Sequence, residues 1–197
     1  MYRKLTQRSL DIDWFIELDG VLVHIASNGG HIPWNSYKIR SLESIYENVM
    51  AMPEEHEIGI NEAYINDLDG YEYLDNNDLK ALLKKEDGSF LDKISLYSES
   101  FVSMAKRGFL SFDRSDYISP SGYEMYRLIA WPNDLNDDRI EFFKDNDFPL
   151  VRLIELLLRN QREERREDEI LHLNGGGLFR HLLCLRKDEI ERTLEPL

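Results

Sequence analysis

Two apolar runs joined by Asp19 and Gly20 are the feature that most constrains the fold of this chain. Residues 14–18 and 21–27 are rich in the β-branched and aromatic side chains typical of strands. An Asp-Gly pair suits the positive φ angles that both central residues of a type I′ turn require. The sequence therefore predicts a β-hairpin with a two-residue turn at Asp19 and Gly20.

A second pair of strands is predicted near the middle of the chain. Residues 109–113 and 123–131 have strand composition, and a segment rich in Pro, Gly and Ser connects them. Pro132 ends the second strand because it cannot donate to a ladder of hydrogen bonds. Together with the first hairpin, this pair predicts an antiparallel sheet.

Helical periodicity appears on both sides of the second strand pair. Apolar side chains within residues 42–50 recur at helical spacing. This pattern predicts a helix with one buried stripe that ends before Pro53. Residues 90–104 define one face of another helix, with Ser89 as the N-cap and Gly108 as the C-terminal stop. The three predicted stripes consist of Leu42, Ile45, Tyr46, Val49 and Met50 in the first helix, Phe90, Ile94, Tyr97, Phe101 and Met104 in the second, and Leu150, Leu153, Ile154, Leu157 and Leu158 in a third helix after the strand pair.

The order of these elements predicts the fold class and the domain organisation. Helices flank the strands and dominate the end of the chain, including one predicted after the glycine run 175–177. We expect an α+β fold whose antiparallel sheet is built from hairpins, with flanking helices and a helical C-terminal third. The 197 residues contain no repeat or low-complexity linker. Residues 1–197 are therefore expected to form a single domain, with a helical C-terminal subdomain from about residue 137 as a variant of this organisation.

Cysteine usage and hydropathy indicate the compartment. Cys184, the single cysteine, lies in an apolar run that is typical of a small buried side chain. The N-terminal segment lacks the apolar stretch of a signal peptide, and no apolar run is long enough to cross a bilayer. We expect a cytoplasmic protein that does not interact with a membrane.

Charge is concentrated in one segment. The chain has 24 Lys and Arg residues against 38 Asp and Glu residues, for a net charge of −14, which disfavours nucleic acid as a partner. Residues 41–100 contain fifteen acids and four bases. Charge of one sign in one region raises the rate of encounter with a surface of opposite sign. The segment therefore predicts a basic protein partner.

Candidate partner-binding residues lie in the acidic segment. Residues 61–68 are expected to be helical, and the alternative is a strand pair about Asp69 and Gly70. Carboxylates would steer a basic surface, and tyrosines would supply contact area. The candidates are Glu54, Glu55, Glu57, Glu62, Asp67, Asp69, Tyr64, Tyr71 and Tyr73.

Residues 15–21, with the sequence FIELDGV, resemble the first motif of the haloacid-dehalogenase-like phosphatases. That motif is an apolar strand followed by Asp-x-Asp-Gly-Thr or Asp-x-Asp-Gly-Val. The resemblance implies a doubly wound fold and a magnesium-dependent phosphoryl hydrolase in which Asp19 transfers a proton. Glu17 stands where the family has its nucleophilic aspartate, and its carboxylate is one methylene further from the backbone. The structural interpretation of Asp19 is a turn residue.

The remaining catalytic patterns each lack a required residue. The five histidines show no zinc-ligand spacing, and the segment around Gly70 lacks the acids of a calcium loop. We therefore expect no metal site, no cofactor and no catalytic residues. The leading hypothesis is a non-enzymatic acidic interaction protein, for which an inhibitor or immunity-type protein that masks a basic nucleic-acid-acting toxin is one concrete form. The alternatives are the hydrolase and a scaffold subunit of a larger assembly.

Overall fold

The structure, a computed structural model, describes residues 13–28, 39–68, 92–119, 122–135, 138–160 and 171–173. Strands and helices alternate irregularly along this part of the chain. The elements are β1 (Asp13–Leu18), β2 (Val21–Ala26), α1 (Ile39–Met50), β3 (Ile58–Ile60), α2 (Glu62–Asp67), α3 (Lys93–Lys106), β4 (Leu110–Ile118), β5 (Glu124–Pro132), α4 (Asp138–Asp145), α5 (Leu150–Asn160) and β6 (Leu171–Leu173).

The described strands form one mixed sheet in the order β3-β5-β4-β2-β1-β6. The pairs β1/β2, β4/β5 and β3/β5 are antiparallel, whereas β2/β4 and β1/β6 are parallel. The α+β class is confirmed, but the prediction of a sheet that is antiparallel throughout is wrong for two pairings. For β2 and β4 the physical reason is the long connection between them, whose described part contains three helices and so lets the chain return in the same direction.

The first hairpin has the predicted turn. Asp19 and Gly20 have φ angles of 51° and 80°, as both central residues of a type I′ turn require. Leu18 and Val21 are paired directly across the turn, so β1 and β2 are joined by two residues. The local chemistry of Asp-Gly thus sets the register of the hairpin.

Both faces of the hairpin are buried because helices cover each side of the sheet. One face contributes Trp14, Ile16 and Leu18 to a core that includes side chains of α4 and α5. The opposite face contributes Phe15, which packs with Ile45 and other side chains of α1 and α3. The consecutive residues 14–16 are therefore all fully buried, and the strand reads as a continuous apolar run.

Helix α3 is bounded by capping interactions at both ends. The side chain of Asp92 accepts a hydrogen bond from the backbone N–H of Ser95, so Asp92 is the N-cap and the prediction for Ser89, which lies outside the described residues, is wrong. Gly108, with φ of 95°, ends the helix as predicted. Its N–H donates to the carbonyl of Ala105, and the N–H of Phe109 donates to that of Met104. This is a Schellman motif.

Several other predictions concern elements of the helical layers. Helices α1, α2 and α5 are confirmed, and the strand pair proposed about Asp69 and Gly70 lies outside the described residues. In the C-terminal third, β6 is a strand where the sequence predicted only helices. The helix predicted after residue 177 lies outside the described residues, and the domain organisation stays a prediction.

Replacing Gly20 with alanine is expected to destabilise the hairpin. Nothing lies within 4 Å of a Cβ built at this residue, so the cost arises from the left-handed backbone alone. We expect the free energy of unfolding to fall by about 1–2 kcal/mol, measured by urea denaturation. Gly20→Asn is the matched control and should lose less, because asparagine tolerates this conformation. Equal losses in both variants would contradict the explanation.

Candidate functional site

The loop between α1 and β3 presents three of the predicted carboxylates in a fixed backbone conformation. The N–H groups of Glu55 and His56 both donate to the carbonyl of Lys106, at 3.0 and 3.1 Å. The carbonyl of Glu57 accepts a hydrogen bond of 2.8 Å from the N–H of Asn133. The side chains of Glu54, Glu55 and Glu57 are exposed. The loop is therefore anchored through its backbone, and the carboxylates of Glu55 and Glu57 face solvent.

Arg107 clamps this loop to α1 and α3. The guanidinium is only 8% exposed, and its Nη1 donates to Glu54 Oε1 at 2.5 Å and to the carbonyl and hydroxyl oxygens of Ser103 at 2.7 Å. Nη2 reaches the carbonyl of Met50 at the end of α1, at 3.4 Å. The hydrogen bond from Arg107 lowers the pKa of the Glu54 carboxyl below its usual value. The main role of the Glu54 carboxylate is therefore to hold the loop beside Arg107.

His56 lies in a narrow space beside the end of α3. Its Nδ1 is 3.0 Å from both carboxylate oxygens of Asp134, which are largely exposed. A Cβ on Gly108 would lie 3.2 Å from His56 Nε2. The glycine that ends α3 therefore also permits the close approach of this ring.

Helix α2 is positioned by the buried side chain of Asn61. Its Oδ1 caps the helix by accepting a hydrogen bond from the N–H of Tyr64, and its Nδ2 donates to the carbonyls of Leu128 and Lys144. The amide thus joins α2 to β5 and α4. Glu62 and Asp67 of this helix are exposed, as a role in partner binding requires.

Tyr64 is a packing residue of this region. It is half-buried, and the guanidinium carbon of Arg127 lies 5.0 Å from the centroid of its ring. Burial raises the pKa of the Tyr64 hydroxyl to about 12. Arg127 in turn pairs with Asp147 at 2.9 Å. Tyr64 therefore offers a partner less contact area than its sequence context indicates.

The exposed carboxylates of α1, α2, α3 and the loop define what we call the acidic surface. Helix α3 packs against α1 through Met104 and against α2 through Phe101 and Ala105, so all three helices cover one side of the sheet. The members are Glu43, Glu47, Glu54, Glu55, Glu57, Glu62, Asp67, Asp92 and Glu99. The predicted Asp69, Tyr71 and Tyr73 lie outside the described residues.

Few basic side chains accompany these nine carboxylates. Residues 43–68 contain no Lys or Arg, and residues 92–107 contain Lys93, Lys106 and Arg107. Lys93 donates to two backbone carbonyls at the end of α2, while Lys106 and Arg107 both lie beside Glu54. Among the described residues, no ion pair neutralises Glu55 or Glu57.

Two apolar side chains of α1 lie beside the acidic surface and were missed by the sequence reasoning. Ile45 and Val49 are buried as predicted, but Tyr46 and Met50 are 41% and 37% exposed, so their assignment to the buried stripe is wrong. The available sequence signal was that both lie at the edge of the apolar stripe, where Tyr46 follows Glu43 by three residues and Met50 follows Glu47 by three, so that each is a neighbour of a carboxylate on the helix surface. Tyr117 and Ile118 on β4 are also exposed, at 40% and 55%.

Asp19 and Glu17, the residues that resemble the phosphatase motif, lie at the first hairpin. Glu17 is in β1, opposite Leu22 of the antiparallel strand β2, and Asp19 is the first residue of the turn. The doubly wound sheet that the resemblance implies is not the sheet observed, because this motif leads directly into an antiparallel strand.

A buried row of polar side chains crosses the sheet from β1 to β4. His24 Nδ1 is 2.6 Å from Ser111 Oγ, and His24 Nε2 is 3.6 Å from Asp13 Oδ1. These are the residue types of a hydrolase triad, but His24 and Ser111 are fully buried. A substrate could not reach the hydroxyl, so this row can join strands and cannot act as a nucleophilic site in this conformation.

The described part of the chain presents neither a metal site nor a membrane-spanning helix. Its His, Cys, Asp and Glu side chains form no group of three or more that could hold a metal ion. None of its helices combines the length and the apolar character needed to cross a membrane. The acidic surface is therefore the candidate site that the described residues present.

Replacing Glu54 with glutamine is expected to lower stability in a manner that depends on pH. Because Arg107 lowers the pKa of Glu54 in the folded protein, the ionised pair adds stability above the usual glutamate range of about 4.3. This contribution is lost as the pH falls through the lowered pKa. In urea denaturation, wild type should be more stable than Glu54→Gln at pH 7, and the two should converge in acid. Glu57→Gln, the control, should match wild type throughout, and a constant difference for Glu54→Gln would contradict the ion pair.

We compared the chain with protein-family models, curated proteins and solved structures, and none of the three comparisons gave a match. The function is therefore inferred from the geometry and charge of the acidic surface.

Proposed function

We propose that this protein is a non-enzymatic acidic interaction protein that binds a basic protein partner through its acidic surface. The observation that supports the proposal is the anchored loop, whose carboxylates Glu55 and Glu57 are exposed and have no ion-pair partner among the described residues. Such groups are available to a cation from outside the chain.

Two physical effects support binding at this surface. Carboxylates of one sign raise the rate of encounter with a positively charged surface, and the effect is strongest at low salt. The hydrogen bonds to Lys106 and Asn133 hold the loop in one backbone conformation before a partner arrives. Less conformational entropy is then lost on association.

An inhibitor or immunity-type protein is one concrete form of this function. A basic toxin that acts on nucleic acid presents the positive surface that the acidic surface complements, and covering that surface would block its phosphate contacts. A cytoplasmic setting completes this proposal, based on the single cysteine of the chain.

Reversing two loop charges should reduce partner capture by about tenfold or more. We would immobilise wild type and Glu55→Lys/Glu57→Lys, apply lysate of the native host, elute with a salt gradient and identify proteins by mass spectrometry. Wild type should release a stoichiometric basic protein at moderate salt, because the Debye length falls to about 8 Å near physiological ionic strength. The double variant should retain less of it by about tenfold or more, because reversed charges slow the encounter with a basic surface.

The matched control is Asp116→Lys/Asp145→Lys, which changes the net charge equally at exposed residues outside the acidic surface. This variant should capture the same protein as wild type, and Asp19→Asn should do so as well. Glu54 is left intact, because its reversal would disrupt the clamp with Arg107. Equal loss in both charge variants would contradict a localised site. Magnesium-dependent phosphatase turnover that disappears in Asp19→Asn would favour the hydrolase instead.

A further inference from the structure

We propose that Tyr46 and Met50 form the apolar centre of a docking face on α1, which binds a basic amphipathic helix of the partner protein. This inference rests on the proposed function, because the carboxylates that lie beside the two side chains on α1 belong to the acidic surface. It adds the contact that holds the partner after electrostatic encounter.

The first step is the exposure of both side chains in a helix where Ile45 and Val49 are buried. Ile45 and Val49 are each 1% exposed, whereas Tyr46 and Met50 are 41% and 37% exposed. The ring of Tyr46 is backed by the buried ring of Phe15, with 6.2 Å between their centroids. The ring of Tyr46 thus packs on the buried side chain of Phe15, while a large part of its surface stays exposed. An aromatic side chain of this kind supplies contact area at low conformational cost.

The second step is the arrangement of side chains along α1. Tyr46 and Met50 are four residues apart and lie one above the other on the helix surface. Glu43 and Glu47 have the same spacing and form the adjacent row, and both are exposed. The helix therefore presents an apolar row beside an acidic row.

The third step is the choice of the molecule that binds this face of α1. The negative charge of Glu43 and Glu47 favours a positively charged partner. A partner helix with apolar residues at positions i and i+4 and Lys or Arg in the neighbouring row matches both rows of α1. A second copy of this chain would bring the same carboxylates together, and like charges in contact oppose association. An anionic lipid surface would be repelled for the same reason.

The test uses the full chain and two defined peptides. One peptide consists of Leu and Lys patterned as an amphipathic helix, and the other is oligolysine of equal charge. Binding is measured by fluorescence anisotropy at low salt. We expect wild type to bind both and to prefer the Leu/Lys peptide by about fivefold or more, because an apolar anchor strengthens binding beyond steering. Tyr46→Ala/Met50→Ala should retain oligolysine binding and lose the preference.

The matched control is Tyr117→Ala/Ile118→Ala, which removes the two exposed apolar residues of β4 and should leave the preference unchanged. Alanine is chosen for α1 because it favours helix, and circular dichroism would check the fold of each variant.

A preference that survives in Tyr46→Ala/Met50→Ala, or falls equally in the control, would overturn the docking face while oligolysine binding still supports charge capture. Failure of wild type to bind oligolysine would overturn the proposed function itself. Sedimentation would overturn the choice of occupant if wild type is a dimer and Tyr46→Ala/Met50→Ala is a monomer.

Discussion

The ion pair between Arg107 and Glu54 joins the loop between α1 and β3 to both of the helices α1 and α3, beside the backbone hydrogen bonds that anchor the same loop. One guanidinium group joins the last turn of α3, the final carbonyl of α1 and a carboxylate of the loop. A buried guanidinium without an acceptor is costly, so the loop is stabilised in the place where its carboxylate meets Arg107. The same residue is the C-cap of α3, next to Gly108. Helix termination and loop placement are therefore parts of one local structure.

Features set by neighbouring residues were predictable from the sequence. Asp19 and Gly20 specify their turn through their own backbone preferences, and Gly108 ends α3 because it can adopt a positive φ. The N-cap of α3 was predicted three residues too early, because Ser89 and Asp92 both have suitable side chains. Composition alone does not choose between two such residues.

Features set by contacts between distant segments were not predictable in the same way. The parallel pairing of β2 with β4 depends on how the intervening helices cross the sheet, and hairpin signals report only adjacent strands. The exposure of Tyr46 depends on where α1 lies over Phe15. Helical spacing identified an apolar stripe on α1. Ile45 and Val49 of this stripe are buried, whereas Tyr46 and Met50 are exposed. At the candidate site, the charge count identified the acidic segment, whereas the structural use of Glu54 required its contact with Arg107.

The two kinds of carboxylate in the loop respond in different ways to salt. The Glu54 carboxylate lies 2.5 Å from the Arg107 guanidinium, and screening weakens such a contact less when one partner is buried. Under the proposed function, Glu55 and Glu57 attract a partner through solvent, where ions screen strongly beyond a Debye length. Salt that weakens this proposed attraction therefore leaves the ion pair between Glu54 and Arg107 largely intact. A loop that keeps its shape while its outer charges are screened can release a partner and bind it again without refolding, as a reversible binding surface requires.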